Sequence, residues 1–107
     1  MTVNDLISKY GYEVLNLSDG DREITGYYTG DLLSWVMGRA GQGNVWVTIM
    51  TNINVVAVAF MADVSCVIIA ENAEIEQGVI DTAASKNVNI LRTPKGAFDV
   101  CHEQVLL

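Results

Sequence analysis

Residues 45–70 constrain the fold more than any other part of the chain. Their first run, residues 45–50, is β-branched and aromatic, which favours a strand. The next apolar run, residues 55–62, has no polar side chain, so it predicts a helix that is buried nearly all round. Side chains that can cap this helix lie between the two runs: Thr51, Asn52 and Asn54. Residues 66–70 are typical of a strand covered on both faces. This order predicts a β-α-β unit with parallel strands.

The remaining patterns predict helices and strands on both sides of this unit. Before it we expect a helix over residues 3–10 capped by Thr2, a strand over 12–17, an extended segment over 22–28 and a helix over 32–37 capped by Asp31. After it we expect a helix over 74–86, a more polar strand near a sheet edge over 88–91, and a last helix that starts at Thr93-Pro94. The buried face of that last helix is predicted to contain Ala97, Phe98, Cys101 and Val105. The chain of 107 residues is long enough for a single domain, residues 1–107, of the α/β class.

In a parallel sheet, the helix N-termini gather at the carboxyl ends of the strands. The loops 51–54, 71–72 and 93–94 should therefore share one edge. Helix-start amides at such an edge favour an anionic ligand.

Composition limits the classes of partner. The net charge of -7 disfavours binding to a phosphate backbone, so we expect no nucleic-acid partner. The N-terminus lacks a signal-peptide pattern, and no apolar run approaches the ~20 residues that cross a bilayer, so no membrane partner is expected. Cys66 and Cys101 are interpreted as free thiols of a reducing compartment, which indicates the cytoplasm. A hydrophobic content of 50% in so small a domain predicts self-association.

The reactive side chains are few and scattered. Cys66, Cys101 and His102 are the only cysteine or histidine residues, too few for the usual four-ligand zinc site, and they offer no convincing nucleophile–base pair. Gly41-Gln42-Gly43 follows a predicted helix and precedes a strand, the reverse of a phosphate loop, and favours a simple turn. We therefore predict no catalytic residue, no metal ligand, no cofactor and no enzymatic activity.

The segment 21–31 is the strongest candidate for a binding site. It contains Arg22, two Thr-Gly pairs and two tyrosines. Glycine permits close approach of a ligand, and a guanidinium and threonine hydroxyls can hold phosphate oxygens. The structural alternative is a bulge at Gly26, a turn at Gly30, and an ion pair of Arg22 with Asp19 or Asp21.

The chain resembles the DRTGG domain family at this segment and over most of its length. The likeness includes residues 3–7, 12–15, Asp21-Arg22 with Thr25-Gly26, 30–37, 44–48 and 54–59. Tyr27 stands where the family has its second glycine.

The resemblance implies a three-layer α/β/α sandwich with a mostly parallel sheet, similar to the N-terminal domain of HPr kinase/phosphorylase. It implies a non-catalytic module that homodimerises and helps to form a regulatory nucleotide site, as in phosphotransacetylases and CBS-containing pyrophosphatases. Kinase activity is not implied, because the phosphate loop of that kinase belongs to a separate domain.

Two hypotheses follow, beside a third, a small hydrolase or transferase, for which the sequence offers no convincing nucleophile–base pair or metal set. In the first, the chain is a homodimer that binds an adenine nucleotide or another anionic ligand through these residues: Arg22, Thr25, Gly26, Tyr27, Thr48, Thr51, Asn52 and Asn54. In the second, it is an adaptor that docks onto an enzyme, such as one of an iron-hydrogenase or acetate-metabolism system, through an exposed patch of Trp35, Tyr27 and Tyr28.

Overall fold

Five strands form a single sheet at the centre of the structure, a computed structural model that describes residues 1–105. The strands are β1 (Glu13–Asn16), β2 (Gly26–Thr29), β3 (Asn44–Thr48), β4 (Cys66–Ile69) and β5 (Ile90–Arg92). The helices are α1 (Val3–Tyr10), α2 (Leu33–Arg39), α3 (Ile53–Ala62), α4 (Gln77–Ser85) and α5 (Ala97–Val105).

The strand order is β1-β5-β4-β3-β2. The pairs β2–β3, β3–β4 and β4–β5 are parallel, whereas β1 pairs antiparallel with β5. Each of α2, α3 and α4 therefore connects one parallel strand to its neighbour. The predicted strand at residues 88–91 is realised as β5, one strand in from the β1 edge.

Alternate side chains of the strands enter two separate cores. Trp46, Val67 and Ile69 pack against α2, α3 and α4, whereas Val47 and Ile68 pack on the face that carries α1 and α5. All five side chains are fully buried. The strands are thus covered on both faces, as parallel strands require. This confirms the expected three-layer α/β/α sandwich with a mostly parallel sheet.

The predicted β-α-β unit is present, with β3, α3 and β4 in parallel register. Asn52 caps α3, because its side chain accepts a hydrogen bond from the backbone N–H of Asn54 at 2.9 Å. The expectation that the helix is buried all round is wrong. Val55, Val56 and Ala59 face the core, but Phe60 and Met61 are 55% and 68% exposed. The helix covers only one face of the sheet, so its outer side has no neighbour to bury it.

Two of the predicted helix starts are wrong. Asp31 does not cap α2, which begins at Leu33 after Leu32 and has no side-chain cap. The last helix begins at Ala97 rather than at Thr93-Pro94. Its core side chain is Val100, whereas Phe98 and Val105, which were assigned to the buried face, are exposed. The other two predicted residues, Ala97 and Cys101, do pack against this core, so helical spacing identified the helix and half of its buried face.

Asn89 explains the polarity before β5, which lies next to the edge strand β1. Its side chain is buried and accepts from the backbone N–H groups of Ser18 and Asp19 at 2.8 and 3.0 Å. Its amide nitrogen donates to the carbonyls of Asp19 and Ser65 at 2.7 and 3.0 Å. The residue holds the turn after β1 onto the sheet.

A partly buried acid, Glu103, fixes the C-terminal half of α5 to the rest of the fold. Glu103 accepts hydrogen bonds from the Tyr12 hydroxyl and from Lys95 Nζ, the latter at 2.6 Å. Burial of the carboxyl group opposes its ionisation. The donors Lys95 and Tyr12, with the charge of Lys95, outweigh this effect and lower the pKa of Glu103 below its ordinary value of 4.5.

The lowered pKa predicts an acid-sensitive contribution to stability. A group whose pKa is depressed in the folded state stabilises the fold above its unfolded pKa, and this contribution is lost as the pH falls through the folded pKa. We expect Glu103→Gln to lower the free energy of unfolding at pH 7, and the difference from wild type to shrink as the pH falls below about 4.5. Urea unfolding at several pH values measures this difference. A difference that is constant from pH 7 to pH 3 would contradict the assignment.

Candidate functional site

The main candidate site is a cavity at the carboxyl edge of the sheet. It has a volume of about 510 Å³ and lies between the loop that precedes α3 and the loop that precedes α4. Its lining residues are Thr51, Asn52, Ile53, Glu74, Ile75, Glu76 and Val79. The volume falls within the range of about 300–1,000 Å³ that is usual for small-molecule sites. The cavity combines an apolar wall, polar groups at the start of α3, and two carboxylates.

Four of the residues predicted to bind a ligand lie at this edge, but only two of them line the cavity. Thr51 and Asn52 line the cavity, and Asn54 is exposed in the first turn of α3. Thr48 is buried: its hydroxyl donates to Asp31 Oδ1 at 2.7 Å and accepts from the Met50 N–H at 3.1 Å. Thr48 therefore shapes the loop after β3.

Asp31 has a role that the sequence did not indicate. Besides accepting from Thr48, its Oδ1 accepts from the backbone N–H of Ile49 at 3.0 Å. Nearby, the buried Trp46 donates its ring N–H to the Gly30 carbonyl at 2.9 Å. These bonds join the end of β2 to the end of β3 and fix the carboxyl edge on this side.

Three other predicted ligand residues lie at the opposite edge of the sheet. Arg22, Thr25 and Gly26 precede or begin β2, and Gly26 pairs with Asn44 at the start of β3. Because β2 and β3 are parallel, this end is the amino edge, whereas Thr51 follows the carboxyl end of β3. Arg22 and Thr51, which were predicted to bind the same ligand, therefore lie at opposite edges of the sheet.

The amino-edge residues are occupied with contacts inside the protein. Arg22 forms an ion pair with Asp63 Oδ1 at 2.9 Å and donates to the Asp63 carbonyl at 2.8 Å. Asp63 is the left-handed C-cap of α3, with φ of 58°. A cation at this point complements the negative end of the helix dipole. The predicted alternative partners, Asp19 and Asp21, are not the ones used.

Thr25 and Gly26 pack against the turn before β3. The Thr25 hydroxyl donates to the Gln42 carbonyl at 2.6 Å. A Cβ at Gly43, which has φ of +80°, would lie 2.8 Å from the Thr25 methyl carbon, so only glycine fits there. Gly41-Gln42-Gly43 thus lies at the α2–β3 turn, as predicted.

The predicted docking patch of Tyr27, Tyr28 and Trp35 is not one surface. Tyr27 and Tyr28 are neighbours in β2, so their half-buried side chains enter opposite cores, with Tyr27 on the α1 side. Trp35 on α2 is 52% exposed and lies beneath Arg39, whose guanidinium carbon is 3.8 Å from the ring centroid. Of these three residues, only Trp35 is exposed as predicted.

Cysteine and acidic side chains do not assemble elsewhere in the described chain. Residues 1–105 contain no group of three or more His, Cys, Asp or Glu side chains arranged to hold a metal ion. Cys66 is fully buried, and this burial raises the pKa of its thiol to about 12. Within the same residues, no helix is both long enough and apolar enough to span a membrane.

Comparison with known proteins assigns the family. Residues 5–103 match the DRTGG domain family. The chain belongs to that family. Among curated proteins the DRTGG chain has no match.

One solved structure shows the same fold. It is the crystal structure of the CBS and DRTGG domains of the regulatory region of Clostridium perfringens pyrophosphatase, complexed with the activator diadenosine tetraphosphate. The TM-score is 0.73 at 13% sequence identity, over 94% of this chain. The match spans only 44% of the pyrophosphatase chain. At this identity the likeness establishes the fold.

The arginine of the DRTGG segment is expected to contribute to stability. Arg22→Ala removes a partly buried ion pair and the cation at the end of α3, and should lower the free energy of unfolding by about 1–2 kcal/mol. Arg39→Ala is a matched control, because it also removes an arginine near a helix C-terminus but leaves no carboxylate unpaired. We expect the control to lose about 0.5 kcal/mol. An Arg22→Ala protein as stable as wild type would refute the structural role.

Proposed function

We propose that this DRTGG domain is a non-catalytic, single-domain regulatory module of the cytoplasm that homodimerises and binds an adenine nucleotide. The observation that carries the ligand half of the proposal is the carboxyl-edge cavity. It is a space of about 510 Å³ built from two adjacent loops of a parallel sheet. Ligands of such sheets usually bind outside the carboxyl ends of the strands.

The lining of the cavity fits the nucleoside part of the ligand. Ile53, Ile75 and Val79 offer an apolar surface for the base. Glu74 and Glu76 offer carboxylate oxygens, which accept hydrogen bonds from ribose hydroxyls as acidic residues do in dinucleotide sites.

The phosphate groups fit best at the start of α3. This helix begins at Ile53, and its N-terminus carries the positive end of the helix dipole. The hydroxyl of Thr51 and the exposed amide of Asn54 lie in the same loop and first turn. The two glutamates repel phosphate, so the nucleoside is placed deep in the cavity and the phosphates toward Thr51.

Two further observations support the proposal. The pyrophosphatase regulatory region, of which 44% matches this chain, forms a complex with diadenosine tetraphosphate. In this chain, the candidate nucleophile and base, Cys101 and His102, belong to α5 on the other face of the sheet from α3 and α4. They do not line the cavity, which is consistent with binding without turnover.

Isothermal calorimetry with AMP, ATP and diadenosine tetraphosphate tests the ligand site. If Glu74 accepts from the ribose, Glu74→Ala should weaken the binding of the nucleotides about 10-fold, the equivalent of one charge-assisted hydrogen bond. Glu23→Ala is the matched control, because it removes the same charge from the amino edge, where the Glu23 side chain is 73% exposed.

Comparison of the two variants separates the effect of the Glu74 contact on nucleotide affinity from the effect of removing one negative charge. An equal change in both variants would point to net charge alone. No heat from any of the three nucleotides at high protein concentration would rule out the ligand half.

Docking onto an enzyme is the second candidate function. Trp35 on α2 is 52% exposed, and Leu32, just before the helix, is 59% exposed. Exposed aromatic side chains are common anchors at interfaces. This hypothesis predicts that Trp35→Ser abolishes binding to a purified enzyme partner and leaves nucleotide affinity unchanged. A partner still bound with wild-type affinity would exclude Trp35 as the anchor.

A further inference from the structure

A second cavity lies at the amino edge of the sheet, between the C-terminal ends of α3 and α4. It has a volume of about 250 Å³. Its lining includes Asp63 and Lys86, the residues at which these two helices end. The carboxyl-edge cavity lies at the opposite ends of the same helices and shares no lining residue with this one. The two cavities are therefore separate sites.

The inner part of this cavity is apolar. Ala59, Val64 and Val88 line it and are nearly buried, so they form its floor. Phe60 also lines it and is 55% exposed, which places the aromatic ring at the rim. The volume is below the range of about 300–1,000 Å³ that is usual for drug-sized ligands. The cavity therefore fits a smaller molecule that has an apolar part.

Two of the four charged side chains that line the cavity neutralise each other. Arg22 forms its ion pair with Asp63 Oδ1 at 2.9 Å. The other carboxylate oxygen of Asp63 accepts from Gln42 Nε2 at 2.8 Å. These contacts satisfy the Asp63 carboxylate within the fold, so this pair adds no net charge to the cavity.

The other two charged side chains are one cation and one carboxylate, Lys86 and Asp19. Within residues 1–105, neither forms an ion pair, with each other or with another residue. Asp19 Oδ1 accepts from the backbone N–H of Asp21 at 3.1 Å, which leaves Oδ2 for another donor. Lys86 Nζ lies 5.5 Å from the ring centroid of Phe60, beside the aromatic part of the rim. The cavity thus offers both signs of charge next to an apolar floor.

The backbone adds to the negative side of this arrangement. The C-terminal ends of α3 and α4 carry the negative ends of their helix dipoles, which favour a cationic group. A simple anion would bind to Lys86 but would be repelled by Asp19 and both helix ends. A simple cation would be repelled by Lys86. A small molecule that carries both charges avoids both conflicts.

We propose that the amino-edge cavity binds a small zwitterion of the α-amino-acid class that has an apolar side chain. Its ammonium group donates to the Asp19 carboxylate, and its carboxylate accepts from Lys86 Nζ. Its side chain packs on Phe60 and the apolar floor. This site is independent of the nucleotide site under Proposed function and does not rest on it.

A titration followed by ¹H–¹⁵N NMR, with L-leucine as the probe, tests the site. We expect the amide signals of Ser65, Asn87 and Val88 to shift, because these residues line the cavity. The amide signals of Thr51 and Ile75, at the carboxyl edge, should stay in place.

Two analogues test the recognition of both charges. N-acetyl-L-leucine lacks the ammonium group, and L-leucinamide lacks the carboxylate. Each should bind at least about 5-fold more weakly than L-leucine, because it loses one charge-assisted contact at a partly open rim. Glycine should bind about 10-fold more weakly, because it lacks the apolar side chain.

Two variants assign the two charges to residues. Lys86→Ala should raise the dissociation constant of L-leucine about 5-fold and leave that of L-leucinamide unchanged. Asp19→Asn keeps an acceptor for the Asp21 N–H, and should weaken L-leucine but not N-acetyl-L-leucine. Lys9→Ala is the matched control for Lys86→Ala: Lys9 is exposed on α1, in the opposite layer, and its Nζ lies 5.4 Å from the ring centroid of Tyr10. This control should bind L-leucine like wild type.

The outcomes separate the site from the ligand class. No shift of the cavity amides at the highest soluble concentration of L-leucine would overturn the site. An analogue without one of the charges that binds as tightly as L-leucine would overturn the zwitterion. A folded Lys86→Ala protein, checked by circular dichroism, that binds L-leucine like wild type would refute Lys86 as the partner of the carboxylate.

Discussion

Backbone hydrogen bonds connect β3 to parallel strands on both of its sides. Such pairing can be extended only by crossover connections, so α2 and α3 must return across the sheet. All the helix N-termini of this layer are thereby brought to one edge and all the C-termini to the other. The location of the cavity and the role of Arg22 at the end of α3 both follow from this pairing.

The amino edge shows how residues that resemble a ligand site can serve the fold. Arg22 and Gln42 both bond to Asp63, Arg22 to one carboxylate oxygen and Gln42 to the other. Gln42 in turn accepts from Thr25 through its carbonyl. The chain before β2, the turn before β3 and the end of α3 are held together by these bonds. The presence of Arg22 and Thr25 in this glycine-containing segment is therefore explained by the contacts that they make within the fold.

The outer face of α3 shows the opposite case, in which a segment that looks like pure core is partly exposed. Val55, Val56 and Ala59 satisfy the need to cover the sheet, and one helix face is enough for that purpose. The exposed Phe60 and Met61 have no such function within the chain. Apolar side chains that remain in contact with water favour burial against another surface.

Local chemistry in the sequence determined the elements themselves. Thr2 and Gly11 bracket α1, Asn52 begins α3, and the alternation of residues in β3 separates Trp46 from Val47. These features depend on neighbours along the chain, so they can be derived from spacing. The family and its three-layer fold could be recognised as well.

Tertiary structure alone decided which of these elements meet. Residues 22–28 were predicted as extended, but the parallel pairing of β2 with β3, which separates Arg22 from Thr51, became evident only in the sheet. Asp31 does not cap α2 because its carboxylate instead accepts hydrogen bonds from Thr48 and Ile49 at the end of the neighbouring strand. Packing on the sheet completed the buried face of α5: Ala97 and Cys101 pack on the core as their spacing predicted, but Val100 is fully buried and Phe98 is exposed. Each of these outcomes depends on contacts between residues far apart in sequence, which no local pattern encodes.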